Sequence, residues 1–168
     1  MKPLRIVALA ECEPHLGTIA GWQQDEFGYL SPAVTLEQRE ARLRAALHGP
    51  ELPLTLVALT AEGLPAGAAT LQETTITHPH LTPWLSTVVV PPAFRSRGIA
   101  SALSLQIAAE AARLGFPTIY LFTPNNASLY RRIGWDTIGM ADVKNMAVTV
   151  MARSTSASIQ IAGFRKSV

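Results

Sequence analysis

One stretch limits the folds open to this chain more than any other. Residues 85–90, Leu-Ser-Thr-Val-Val-Val, read as an apolar strand stopped by Pro91 and Pro92. Neither proline can donate to a sheet ladder. A basic turn, Arg95-Ser96-Arg97-Gly98, follows and opens directly into an alanine-rich helix from Ile99 to about Leu114. The first turn of such a helix leaves backbone N–H groups unpaired at the positive end of its dipole. With Arg95 and Arg97 alongside, this is a seat for a phosphate or pyrophosphate. Gly115 caps the helix and Pro117 stops it, and the apolar run 118–122 is then a second strand. A strand, a crossover helix and a strand pair in parallel as a right-handed unit, so the centre of the fold is βαβ.

The flanking chain supplies the remaining elements. Residues 5–10 read as a strand, with Pro14 opening a helix over 15–27 that Gly28 ends. Thr35 and Gln38 form a capping-box pattern for a second helix, which Gly49-Pro50 closes. Its apolar face is Leu36, Leu43 and Leu47, and Glu37, Arg39, Glu40, Arg42 and Arg44 read as a solvated face. Strands over 54–60 and 67–76 make a hairpin about the turn Glu62-Gly63-Leu64-Pro65. A short helix over 127–132 stops at Gly134, and two antiparallel strands, 135–140 and 146–151, follow. Residues 154–168 are an extra edge strand, a contact between two copies in a homodimer, or frayed chain. The elements give a single α/β domain with a mixed sheet, and its 168 residues suffice to bury about 70% of the unfolded surface.

Charge and cysteine content narrow the function classes. A formal net charge of +2 is too small for a nucleic-acid stripe, so a local anion fits Arg95, Arg97, Arg131 and Arg132 better. The single cysteine, Cys12, forms no internal disulfide or cysteine cluster and suits a reducing compartment. The apolar run 6–10 ends at Glu11, too short for a secretory core, and no run approaches the roughly 18 residues of a membrane span. A cytoplasmic protein with no membrane partner is expected. His78 and His80 lack a third ligand at an obvious spacing, so no metal is expected, and the loop 77–83 is expected to border a substrate entrance.

The phosphate-binding motifs that are absent help to sort the one that is present. There is no Gly-x-x-x-x-Gly-Lys-Ser/Thr loop and no Gly-x-Gly-x-x-Gly fingerprint. Residues 95–100 instead follow the order Arg/Gln-x-x-Gly-x-Gly/Ala, and here the chain resembles the Gcn5-related N-acetyltransferase (GNAT) superfamily. A second stretch, Asn-Ala-Ser-Leu-Tyr-Arg-Arg-Ile-Gly-Trp over 126–135, resembles that family's other signature, and the likeness runs from residue 5 to about 153. It implies an acyl-CoA N-acyltransferase fold over 1–153, a mixed, mainly antiparallel sheet flanked by helices, with 154–168 as a tail.

It also implies acetyl-CoA as co-substrate and a small-molecule or exposed peptide amine as acceptor. On that resemblance Val88, Val89 and Val90 offer backbone groups to the pantetheine arm and thioester. Arg95, Ser96, Arg97, Gly98, Ile99, Ala100 and Ser101 wrap the pyrophosphate. Asn126 contacts the cofactor arm, and Tyr130 is either the acid that protonates the leaving thiolate or a packed core tyrosine.

Acyl transfer to an amine requires a polarised carbonyl, a neutral nucleophile and a proton for the departing sulfur. A strand N–H near Val88 can supply the first. Glu73 is the candidate base, its uncharged neighbours allowing burial to raise its pKa. Its other reading is a solvent-facing strand carboxylate, since strand parity is not fixed by sequence. Asp25 and Glu26, near the end of the first helix, either attract a cationic acceptor or face water. Nothing places Cys12 as an acyl carrier, which favours direct transfer in a ternary complex. The alternative is a non-catalytic acyl-CoA binding or sensing module.

Overall fold

The computed structural model describes residues 4–48, 51–75 and 77–155. Its sheet has seven strands: β1 Arg5–Ala8, β2 Leu54–Leu59, β3 Pro65–Gln72, β4 Trp84–Val89, β5 Thr118–Thr123, β6 Asp136–Val143 and β7 Met146–Ser154. Four helices join them: α1 Leu16–Phe27, α2 Leu36–Ala45, α3 Ile99–Arg113 and α4 Ala127–Arg132. The strand order is β1-β2-β3-β4-β5-β7-β6. Only β4 and β5 run parallel, so the expected mixed, mainly antiparallel sheet is what the chain forms.

Both faces of the sheet are covered, which explains why β2 is buried at every position. Val57, Leu59, Ala68 and Val89 pack with Leu16, Ile19 and Leu43 under α1 and α2. Leu54, Leu56, Leu71, Leu85 and Ile119 pack on the other face with Ile99, Leu103 and Ile107 of α3. That helix lies close because β3 has no side chain at Gly67, where a Cβ would stand 2.9 Å from Ile99 Cγ2 and 3.1 Å from Leu103 Cδ1.

The capping box forms as read: Gln38 N donates to Thr35 Oγ1 at 3.1 Å and Thr35 N to Gln38 Oε1 at 2.9 Å. Elsewhere the boundaries move. Strand β1 stops at Ala8, and a 3₁₀ segment, Leu9–His15, takes Pro14 into itself before α1 begins. Strand β3 ends at Gln72 rather than running on toward residue 76, and residue 76 lies outside the described residues. The last hairpin is longer than expected, because Lys144 and Asn145 both take positive φ (49° and 66°) and turn the chain in two residues. That mirror-image turn matches strand twist, and Lys-Asn gives little sign of it. Thr155 is buried and its hydroxyl donates to Phe116 O, while its N–H donates to Pro117 O at 3.0 Å. The closing residues 49–50 of the second helix and the tail from residue 156 lie outside the described residues.

Candidate functional site

The parallel pair at the centre of the sheet barely pairs. Strands β4 and β5 share one register position, Trp84 with Tyr120, reinforced by Tyr120 N donating to Pro83 O at 3.0 Å. Beyond it both strands border a cavity of about 880 Å³, lined by residues 85–88 of β4 and 121–123 of β5. On its other side β4 pairs with β3 through a register shift between Ser86 and Val89. Thr87 and Val88 therefore have no register partner on either neighbour. Thr87 sits at φ 50°, a left-handed conformation costly for a β-branched residue. A bulge of this kind disrupts the ladder locally, and here it does so beside the cavity.

The strand then delivers the basic turn. Gly98 is the N-cap of α3 at φ 76°, a conformation open to glycine, and no side chain caps the helix. The first intrahelical bond is Ala102 N to Gly98 O at 3.0 Å, so the N–H groups of Ile99, Ala100 and Ser101 have no partner within the helix. Arg95 Nε donates to Val90 O at 3.0 Å and its Nη2 to Glu26 Oε2 at 3.3 Å, while the Arg97 guanidinium lies 5.5 Å over the Phe94 ring. Both arginines brace the loop. Ser96 shares the exposed turn at φ 62°, whereas Ile99 and Val89 bury their side chains in the core.

At the far side of the wedge, Tyr130 is 7% exposed and lines the cavity, its ring edge-on to Trp135 at 6.1 Å. Burial pushes its hydroxyl up to about 12, against the opposing pull of a side-chain hydrogen bond with Ser104. Ser104 Oγ itself donates to Ala100 O at 2.7 Å, in the first turn of α3. Asn126 lines the same cavity, and its side chain makes no capping bond to α4.

The structure thus gathers Glu73, Val88, Asn126 and Tyr130 on one cavity, and places residues 95–98 on the exposed turn that follows β4 and residues 99–101 in the first turn of α3. Glu73 stands exposed just past the end of β3, so of its two readings the solvent-facing one describes its exposure, although it lies beyond the strand. Asp25 and Glu26 also reach the cavity, Glu26 already paired with Arg95. The loop 77–83 does not reach it, correcting its expected place at the substrate entrance. Trp84 holds that loop, stacking on His78 at 6.3 Å and donating from Nε1 to Leu81 O at 2.7 Å. Leu52, Pro53 and residues 72–75 line the cavity instead. Among the described residues, no group of three His, Cys, Asp or Glu side chains is placed to hold a metal ion.

Three residues went unread in the sequence. Arg39, assigned to a solvated face, is 5% exposed and lines the cavity. Its spacing from Leu36 and Leu43, three and four residues away, was the available signal. Ser104 is fully buried on α3, one of two serines in a helix otherwise rich in alanine and leucine. Thr87 carried no signal, because a bulge depends on register.

Comparison with known proteins follows this geometry. The model of the acetyltransferase (GNAT) family matches residues 16–135. No curated protein matches the sequence. A chimera of the Vibrio cholerae spermidine N-acetyltransferase SpeG with hSSAT is similar over 93% of this chain and 98% of its own, at 19% identity and a TM-score of 0.71. The Vibrio cholerae spermidine N-acetyltransferase in complex with CoA and spermine is similar over 91% and 96%, at 18% identity and a TM-score of 0.70. At these identities the likeness is one of fold. Among the described residues no helix is long and apolar enough to cross a membrane.

Proposed function

The chain belongs to the GNAT acetyltransferase family, and from that premise we propose that it transfers the acetyl group of acetyl-CoA to the amine of a small molecule, directly, in a ternary complex. One observation carries the reading: the central parallel strands pair once and part, opening a cavity with unpaired β4 backbone on one wall and the buried Tyr130 hydroxyl on the other.

The thiol ester and the amine are both substrates, and the chain's residues divide the work. The uncapped first turn of α3, at Gly98, Ile99, Ala100 and Ser101, suits the pyrophosphate, and Arg95, Ser96 and Arg97 shape the turn that precedes it. Backbone groups of Val88, Val89 and Val90 are the proposed partners of the pantetheine arm, with Asn126 on the opposite wall. A backbone N–H at the Thr87–Val88 bulge is the proposed donor to the negative charge that builds on the thioester oxygen. Glu73, at the rim, takes the amine proton directly or through water as nitrogen bonds to the acetyl carbon. The carbon–sulfur bond then breaks, and Tyr130 donates a hydrogen bond to the leaving sulfur. Cys12 is buried away from the cavity, with burial and the Glu11 carboxylate holding its thiol above the usual range, which supports transfer without an acyl-cysteine. A lone buried cysteine also supports a cytoplasmic setting.

A thiol-release assay with acetyl-CoA across a broad amine panel tests this reading. Release with at least one amine is expected. Calorimetric binding of CoA without release on any acceptor would replace it with the sensing-module reading, and absence of CoA binding would sink both.

A further inference from the structure

The α2 wall of the cavity carries a charge that nothing in the fold answers. Arg39 is 5% exposed and lines the cavity, with Nε donating to Gln24 Oε1 at 2.8 Å. Its Nη2 is buried with no hydrogen-bond partner. Arg42, one turn later, is exposed and lines the same cavity. Burial and the neighbouring Arg42 charge both pull the Arg39 pKa below its ordinary value. Among the described residues no carboxylate lies within ion-pair reach of either arginine. A guanidinium removed from water and left uncompensated is costly, and an arriving anion removes that cost.

The remaining charges around the cavity set the rest of the ligand. Asp25, Glu26 and Glu73 line it too, and Glu26 is partly neutralised by Arg95 at 3.3 Å. The cavity is therefore bipolar, cationic along α2 and acidic elsewhere. Between these groups the buried Thr55 and Thr70 hydroxyls, 2.8 Å apart, add a polar surface. We propose that the acceptor is a small amino acid-type molecule whose carboxylate is held by Arg39 and Arg42 while its amine is acetylated. The proposal rests on the acetyltransferase reading above and separates this site from one built for spermidine, which carries positive charge only. A singly charged carboxylate suits a planar guanidinium fork and spares Asp25 and Glu73 the presence of a dianion.

Matched acceptor pairs decide it. Amino acids are compared with amines lacking only the carboxylate, with aminophosphonates and with spermidine, in the thiol-release assay. The expected kcat/KM ratio favours the carboxylate-bearing member by ~10²-fold, the scale of losing one partner of a buried charge pair. In Arg39→Met that ratio collapses toward one, and in Arg42→Ala it falls ~3- to 10-fold. Arg39→Met should melt no lower than the wild type, since it removes an uncompensated buried charge. If it does not fold, Arg42→Ala, at an exposed position, carries the test. Wild-type preference for spermidine or for carboxylate-free amines overturns the inference and leaves acetyl transfer standing. Preference for the phosphonate overturns the carboxylate assignment. If no acceptor releases thiol, the transferase reading fails and calorimetry with the acetyl-CoA-loaded protein decides: amino acid binding lost in Arg39→Met supports the carboxylate site, and no binding rejects it.

Discussion

Replacing Tyr130 by phenylalanine separates two properties of one hydroxyl, its burial and its chemistry. Burial lifts the phenol from an ordinary 10.0 to about 12. The folded state therefore prefers the protonated form more strongly than the unfolded chain does. The stability this supplies is complete below pH 10 and drains away as pH climbs toward 12, because only the unfolded chain ionises readily in that window. The gap between 10 and 12 corresponds to about 2.7 kcal/mol, and about half of it is gone at pH 11. Urea denaturation at pH 8 and pH 11 should show the wild type losing ~1.4 kcal/mol more than Tyr130→Phe across that step. Every other ionisable group is common to the two proteins and cancels in the difference. At pH 8 the variant should sit within ~1.5 kcal/mol of the wild type, the scale of one hydroxyl's net hydrogen bonding. Its kcat should nonetheless fall ~10²-fold if the hydroxyl serves the departing sulfur. A hydroxyl held near 12 stays protonated at neutral pH, so hydrogen-bond donation to the sulfur is the role being tested. Equal alkaline losses in the two proteins would refute the buried, neutral phenol. An unchanged kcat, with chemistry shown to limit turnover, would leave Tyr130 as a packing residue.

Two further substitutions probe the donor and acceptor ends. Gly98→Ala meets no neighbour within 4 Å, so its effect is conformational: holding alanine at φ 76° costs ~1–2 kcal/mol, and CoA affinity measured by calorimetry should fall ~10-fold as the first turn of α3 shifts. Glu73→Gln should lower kcat/KM ~10²-fold near pH 7, with the deficit shrinking toward pH 10 as amines lose their proton to solvent. A deficit that stays constant across that range, or none, returns Glu73 to the exposed rim.

Local chemistry was readable in this chain, and pairings between distant residues were not. Thr35 and Gln38 announce their helix because a capping box closes within three residues. The order of β4, α3 and β5 follows from handedness and the spacing of apolar residues. The bulge at Thr87 is set by how Ala68 and Thr70 of β3 meet Val89 and Ser86 of β4, a register no single strand encodes. Glu73 shows the same limit, since its exposure follows from the end of β3 at Gln72, a boundary decided by where β4 stops pairing.

Arg39 carries that point into function. In sequence it is one charge among five on a helix whose apolar stripe runs through Leu36, Leu43 and Leu47. In the fold Leu36 is the exposed residue, and Arg39 is buried against Gln24 of α1. An amphipathic pattern gives the width of a helix's buried stripe but not its rotation against a particular neighbour. A turn of a few tens of degrees exchanges a leucine for an arginine at the cavity wall. Of the residues proposed to hold CoA, those of the 95–98 turn have a shape their local sequence dictates, through Gly98 at positive φ. On the carboxylate-site proposal, recognition of the acceptor depends on how α2 is set against α1, so a signature can identify the donor in a family while leaving each member's acceptor unwritten.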